Sequence, residues 1–259
     1  MSDHLHDDLA ALREDAPAGL LPGVLAGTGL ADRYVIRSSP IGEIHVAFNG
    51  HGVSAIDVAD SAGAFEAWFE NRFGRPALAA DQLPPELGDR LDRAIAEGRP
   101  GSLPLDLRSL TPFQAQVLMK TAEIPRGEVR PYGWVAGEIG KPSATRAVGS
   151  ALARNPVPVV IPCHRVVRSD GVLGRYSMGE DANKRRLLEA EGLDMDGFTS
   201  LAGRGIRLIG SRTTHIYCHP TCRDARRITD RHRAEFRSAA EAERQGFRAC
   251  KRCRPAAAA

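Results

Sequence analysis

The sequence predicts an α+β protein built from a small antiparallel-sheet N-lobe, a helical lobe carrying a helix-turn-helix, and a small C-terminal domain. Three observations predict it. Short β-type runs separated by turn residues are confined to the first third of the chain. Helical periodicity takes over from Thr111. Four of the five cysteines, Cys218, Cys222, Cys250 and Cys253, fall together in a final segment poor in large apolar side chains.

In chain order, residues 1 to about 30 read as a weak helix followed by a Gly/Pro/Ala-rich stretch, Pro17 to Gly29, forming a partly ordered extension. Tyr34-Val35-Ile36, Ile44 to Phe48 and Val53 to Ile56 are β-type runs, separated by the turn signals Ser39-Pro40-Ile41-Gly42 and Asn49-Gly50-His51-Gly52. Ala62 to Phe73 is a helix with Phe65, Trp68 and Phe69 on one face, and Leu87 to Ala96 is another. Pro100-Gly101-Ser102 and Pro104 close this lobe. Thr111 then supplies an N-cap, with Pro112 at the first helical position and Gln114 completing a capping box. A second helix spans Pro131 to Ile139, ended by Gly140-Lys141-Pro142, and Ser143 caps a third, Ala144 to Ala153. Two short helices joined this way are either a DNA-reading helix-turn-helix or an ordinary αα-hairpin. Val157 to Ile161 is a short buried run leading into Pro162-Cys163-His164-Arg165, and Leu187 to Glu191 lies on a further helix.

Composition narrows the function classes. Of 259 residues, 42% are hydrophobic and 26% charged, which is the balance of a packed globular chain. No run approaches the roughly 20 apolar residues of a membrane span. The acidic start lacks the apolar core of a secretory signal, and an odd number of cysteines cannot all pair. These features predict a cytoplasmic chain with metal-binding or reactive thiols, and set aside a membrane protein and a disulfide scaffold. Residues 1–110 carry 9 Lys/Arg against 17 Asp/Glu, whereas residues 203–259 carry 14 against 5, a net of +9. Such a segment is either a solvated basic tail or a polyanion-binding surface.

Cys163 is the first chemical candidate. A thiol is nucleophilic only when ionised, and a neighbouring imidazole can accept its proton. In a straight strand residues 163 and 164 would face opposite ways, so the pair cooperates only if the backbone turns, as Pro162 allows. The alternative is a buried structural cysteine beside an exposed histidine. The segment Asn155-Pro156-Val157-Pro158-Val159-Val160-Ile161-Pro162-Cys163-His164-Arg165-Val166-Val167 closely resembles the signature of the O6-alkylguanine-DNA alkyltransferases. Further marks follow the family's order: Thr111-Pro112-Phe113-Gln114, Gly127-Glu128-Val129, Tyr132, Arg146-Ala147-Val148-Gly149, Gly174-Arg175-Tyr176-Ser177, and Leu187-Leu188 before Glu189-Ala190-Glu191-Gly192.

The resemblance implies double-stranded DNA carrying O6-alkylguanine as partner, with the chain acting as a monomer. It implies Cys163 as alkyl acceptor, His164 taking its proton through a water, Glu191 orienting the imidazole and Asn155 bracing the turn. Tyr132 would donate a hydrogen bond to the guanine, and Tyr176, Ser177 and Arg165 would lie on the substrate or DNA side. Arg146, on the second helix of the pair, would fill the gap left by the extruded nucleotide. It also implies a ribonuclease-H-like lobe over residues 31–108 and an alkyltransferase domain over 109–198. Ser177-Met178-Gly179 stands where many bacterial relatives carry Arg-Trp-Gly, which leaves pocket width open.

The other four cysteines follow C-x3-C, 27 residues, C-x2-C. That spacing suits one tetrahedral S4 zinc ion with no organic cofactor; two disulfides or four idle thiols are the alternatives. So small and Arg-rich a segment has too little core to be stable alone, so zinc would stabilise it. Arg212 to Cys222 and Gly246 to Pro255 look like the zinc-binding domain of the adaptive-response protein Ada, over 203–255. In that family the first ligand, here Cys218, also accepts methyl from DNA phosphotriesters, which makes Cys218 a candidate second acceptor. Ada places this module first, whereas here it follows the alkyltransferase segment, and no Asp-Gly-Arg-Phe-like segment precedes Arg212. The expected function is direct, single-turnover reversal of O6-alkylguanine damage. A non-catalytic alkylated-DNA binder or methylation sensor is the first rival and a Cys-His hydrolase the second.

Overall fold

The structure, a computed structural model, describes residues 20–174, 176–179 and 181–255. The expected N-terminal helix before residue 17, Arg175 and the Ala256–Ala259 run lie outside the described residues. Within the stretch expected to be irregular, Leu20–Gly27 is a helix (α1). Its end is tied by the Thr28 hydroxyl donating to Val24 O at 2.8 Å and by the Leu30 and Ala31 amides, both on Leu25 O.

The three β-type runs form β1 (Asp32–Ser39), β2 (Gly42–Asn49) and β3 (Gly52–Asp57), paired antiparallel in sequence with Val35 opposite Val46. A fourth strand, β4 (Ala77–Ala79), runs parallel to β1, so the sheet is mixed, in the order β3-β2-β1-β4, rather than purely antiparallel. Strand alternation sends side chains to two buried faces. Tyr34, Ala47 and Ala55 meet Phe65 and Phe69 of α2 (Ala62–Phe73), whose N-cap is Ser61. Val35, Val46, Phe48 and Ile56 face the other way, towards Leu91 and Ala94 of α3 (Pro85–Glu97). That second face is continuous with the helical lobe, because Val117, Leu118, Trp134, Val135, Val148 and Ile161 belong to the same cluster.

The helical lobe opens with α4 (Pro112–Ala122). Its capping box is formed, with Gln114 N on Thr111 Oγ1 at 3.3 Å and Thr111 N on Gln114 Oε1 at 2.9 Å. α5 (Tyr132–Glu138) and α6 (Thr145–Ala153) make the helix pair. Ser143 does not cap α6: Pro142–Ala144 forms a 3-10 turn that carries the chain into the helix without a side-chain cap. Residues Val157 to Ile161 are buried but not a strand; the chain bends, with Val159 at φ 71°, and enters a 3-10 turn at Cys163–Arg165. Beyond it, β6 (Val166–Val167) pairs parallel with β5 (Arg130–Pro131). α7 (Asp181–Ala190) and α8 (Met195–Gly203) follow, α8 capped by Asp194.

The C-terminal segment folds around a second sheet, order β10-β8-β7-β9, from β7 (Leu208–Ser211), β8 (Ile216–Cys218), β9 (Arg233–Phe236) and β10 (Arg248–Ala249), with α9 (Ala239–Arg244) against it. Its core is small: Leu208, Tyr217, Phe236 and Phe247 on one side, the four cysteines with Ile209 and Ala225 on the other. Among the described residues no helix is long and apolar enough to cross a membrane.

Candidate active site and metal centre

The bend before Cys163 is held from inside by one amide. Asn155 Oδ1 accepts from Val157 N at 3.0 Å, while its Nδ2 donates to Ile161 O at 2.9 Å and reaches Cys163 Sγ at 3.2 Å. The side chain thus closes the turn and contacts the thiol it presents. Val159 adopts a positive φ that a β-branched residue rarely takes, local strain held by packing on every side.

The 3-10 turn sets Cys163 and the side chains after it into one buried cluster. Cys163 is 6% exposed, and His164 and Arg165 are each 1% exposed. His164 Nε2 lies 2.8 Å from Glu191 Oε1. Glu191 also receives Arg165 Nη2 at 2.7 Å, Arg165 Nε at 2.9 Å and the Gly127 amide at 3.0 Å. Burial would raise the Glu191 carboxyl, but the bonds from His164 and Arg165 outweigh it and bring it down to about 2. An ionised carboxylate only accepts, so Nε2 carries the hydrogen and His164 Nδ1, which has no partner, keeps its lone pair. Burial also lowers the imidazole pKa, so His164 rests neutral.

Burial pushes the Cys163 thiol up; the Asn155 amide, the Lys184 ammonium and the Ser177 hydroxyl pull the other way. Lys184 is 1% exposed and donates to Val166 O at 2.7 Å and Leu173 O at 2.5 Å. Tyr132 opens α5 half-buried, its hydroxyl held protonated by burial and by the nearby Cys163 sulfur. Gly174, at φ +72°, brings the following loop so close that an added Cβ would lie 3.6 Å from the Tyr132 hydroxyl. On that loop the Tyr176 ring stands perpendicular to His164, with 6.3 Å between ring centres, and its buried hydroxyl has no partner. Arg146 is exposed on α6.

The metal centre lies on the C-terminal sheet. The sulfurs of Cys218, Cys222, Cys250 and Cys253 all lie within 4.8 Å of one another, and all four residues are buried. Sulfurs this close cannot all carry negative charge unaided: hydrogen bonds from Cys218 and Cys253 drive Cys222 down, while Cys218 is driven up. A divalent cation among them resolves that competition, and four thiolates with no nitrogen or oxygen ligand are the donor set of structural zinc. The donors fit the ion.

Two family models match the chain. The 6-O-methylguanine DNA methyltransferase DNA-binding domain covers residues 112–193, and the metal-binding domain of Ada covers 203–256. The methylated-DNA–protein-cysteine methyltransferase of Methanosarcina barkeri is 40% identical over 162 residues, 61% of this chain and 96% of the relative. The chain belongs to the methylated-DNA–protein-cysteine methyltransferase family. The Escherichia coli bifunctional transcriptional activator/DNA repair enzyme Ada is 39% identical over 171 residues, 64% of this chain but 47% of Ada, so the chain spans about half of that relative. The crystal structure of Mycobacterium tuberculosis OGT in complex with DNA is 31% identical at a TM-score of 0.50, covering 65% of this chain and 98% of OGT. The methyltransferase of Pyrococcus kodakaraensis, 28% identical, also superposes at 0.50.

In this chain the fold brings Cys163, His164, Glu191, Asn155, Tyr132, Tyr176 and Ser177 to one place, and the four metal ligands, Cys218, Cys222, Cys250 and Cys253, to another. Arg165 corrects the expectation that it faces DNA. It is buried, and its guanidinium is spent on Glu191 and on Ile124 O, because a carboxylate that deep needs a paired cation. Lys184 was not singled out from the sequence, since a lysine in a Lys-Arg-Arg run on a helix ordinarily reads as solvated. The one signal available is its place three residues before Leu187, on the helix's apolar side.

Proposed function

We propose that this chain repairs O6-alkylguanine in duplex DNA by moving the alkyl group irreversibly to Cys163. The observation that carries the reading is the thiol held by Asn155 beside a neutral His164 whose free Nδ1 is set by Glu191. The base must leave the stack to reach so enclosed a sulfur. Arg146, exposed on the second helix of the pair, would fill the vacated space. In the pocket, His164 Nδ1 takes the Cys163 proton through a water. The sulfur attacks the O6-alkyl carbon, the S–C bond forms, and the C–O6 bond breaks with its electron pair leaving on the purine. The Tyr132 hydroxyl, held protonated, donates to the base and stabilises that anion. The product is a thioether that nothing at the site hydrolyses, so each chain acts once. Five free thiols suit a reducing cytoplasm.

A second acceptor has one observation of its own. Cys218 lines a cavity of about 590 Å³ with Arg227, Arg248, Lys251 and Arg252, a cationic setting for a DNA phosphotriester. Zinc would keep the Cys218 thiolate deprotonated and nucleophilic there. Intact-mass analysis after exposure to methylated duplex tests both readings. One added methyl on the Cys163 peptide, lost in Cys163→Ala without loss of DNA binding, supports the first reading, and an unmodified Cys163 peptide refutes it. A further methyl that survives Cys163→Ala and maps to Cys218 supports the second.

A further inference from the structure

Among the described residues, five polar contacts tie the metal module to the alkyl-transfer lobe, and all come from residues at or beside a metal ligand. Flanking Cys222, the Thr221 hydroxyl accepts from Val129 N at 2.9 Å and donates to Val129 O, and the Arg223 amide donates to Glu128 Oε1 at 3.0 Å. The carbonyl of Cys253, itself a ligand, accepts Trp134 Nε1–H at 2.9 Å. Next to it, Arg254 pairs with Glu138 and sits over the Trp134 ring at 5.9 Å.

The receiving residues are the ones that shape the Cys163 site. Glu128 and Val129 adjoin Gly127, whose amide holds Glu191. β5 pairs with β6 directly after Cys163-His164-Arg165. Trp134 lies on α5, the helix that Tyr132 begins. Glu128 is 2% exposed, and its other oxygen pairs with buried Arg130, whose guanidinium stacks on Trp134 at 5.7 Å.

We propose that the zinc module buttresses the alkyl-acceptor site, with Glu128 and Trp134 as positioning residues that carry metal occupancy to Glu191 and Tyr132. The physical argument is one of folding linkage. A module with so small a core owes its order to its metal. Loss of the ion releases the two ligand turns, 218–223 and 250–254, which supply all five contacts. The Val129 amide then loses its partner while its carbonyl keeps only Arg130 Nη1, Glu128 loses its amide donor in a buried setting, and α5 loses its anchor at Trp134. A loop so freed no longer fixes the Gly127 amide on Glu191, and the imidazole loses part of what orients it. The inference rests on Cys163 being the acceptor only for its kinetic consequence; its structural half is readable separately.

The test uses the full chain carrying Trp68→Phe, which leaves Trp134 as the single tryptophan. Zinc is removed with a chelator and its loss confirmed by metal analysis. Amide exchange is followed over residues 124–135, and over 44–57 in the N-lobe sheet as the control. The expected result is faster exchange at 124–135 with 44–57 unchanged, a red shift of Trp134 emission, and a fall of about tenfold in the rate of transfer at saturating DNA. Restoring zinc should reverse all three. Trp134→Phe should keep its zinc and slow transfer part of the way, by loss of the N–H and of part of the ring face under Arg130 and Arg254. Unchanged exchange at 124–135 after zinc loss, equal transfer rates with and without zinc, or parallel deprotection of 44–57 would each overturn the proposal. If neither form transfers alkyl at all, the acceptor reading fails, and the exchange pattern alone decides the coupling.

Discussion

Arg165 lays its guanidinium along the Glu191 carboxylate, Nη2 to Oε1 at 2.7 Å and Nε to Oε2 at 2.9 Å, while Nη1 donates to Ile124 O at 2.7 Å. The pair is 1% and 7% exposed at the side-chain level. It gives the carboxylate its charge, and the carboxylate gives His164 its tautomer, so the arginine acts on the thiol through two intermediaries.

Breaking that pair from one side leaves a buried anion without its paired cation, with only His164 and the Gly127 amide still donating to it. Arg165→Met should therefore lower stability by about 3–5 kcal/mol, the range for a bisected buried ion pair. Urea unfolding measures it. A loss under about 1 kcal/mol, the range of exposed pairs, would mean that Arg165 is solvated and free for DNA after all.

The same cluster sets a pH dependence. Glu191 drops from an ordinary 4.5 to about 2 in the folded chain, so it stabilises fully above pH 4.5 and loses its contribution as pH falls through about 2. That contribution amounts to about 3 kcal/mol at neutral pH. His164 lies below its ordinary 6.5, so it too stabilises above that value and weakens the fold as pH drops. Both terms have one sign. Stability measured across pH 7 to 2 should fall on acidification, and Glu191→Gln should remove the part between 4.5 and 2. A variant with the same acid limb as the parent would contradict the assignment.

Asn155 joins the turn to the thiol, and its loss should act on both. Asn155→Ala leaves the buried Val157 amide without its partner, at about 1–3 kcal/mol, and takes one of two donors from the Ile161 carbonyl, which keeps the Cys163 amide. It should also slow alkyl transfer more than it weakens DNA binding, because the residue contacts Sγ and not the surface of α6. Single-turnover rates at saturating DNA, set beside binding isotherms, separate the two effects. An equal loss in both would place Asn155 in DNA binding.

Much of this was legible in the residues. Turn dipeptides and β-branched runs delimit β1 to β3, Thr111-Pro112-Phe113-Gln114 announces its capping box, and the cysteine spacing predicts the four-sulfur cluster. Other parts carry no local signal. Three residues of β4 are too few to show alternation, and the strand exists because β1 offers it an edge. The role of Arg165 depends on Glu191, 26 residues away. The docking of the metal module is further still from any local pattern, since Thr221 meets Val129 across 92 positions and Trp134 meets Cys253 across 119.

Gly127 joins the two centres through one backbone: its amide holds Glu191, and Glu128 beside it accepts from the Arg223 amide. Its φ is +71°, and a Cβ there would meet the Glu191 carbonyl oxygen at 2.9 Å, backbone that cannot swing aside. Gly127→Ala combines left-handed strain of about 1–2 kcal/mol with that contact. Relief requires the loop to withdraw from Glu191, which lengthens the amide bond that steadies the carboxylate. The expected outcome is a melting temperature lower by several degrees, at about 2–4 °C per kcal/mol for a chain of this size, together with slower transfer. Zinc content should stay unchanged, since none of the four ligands is touched. Retained melting temperature and retained rate would mean that residues 125–131 adapt freely, and that the position of the Gly127 amide does not matter to Glu191.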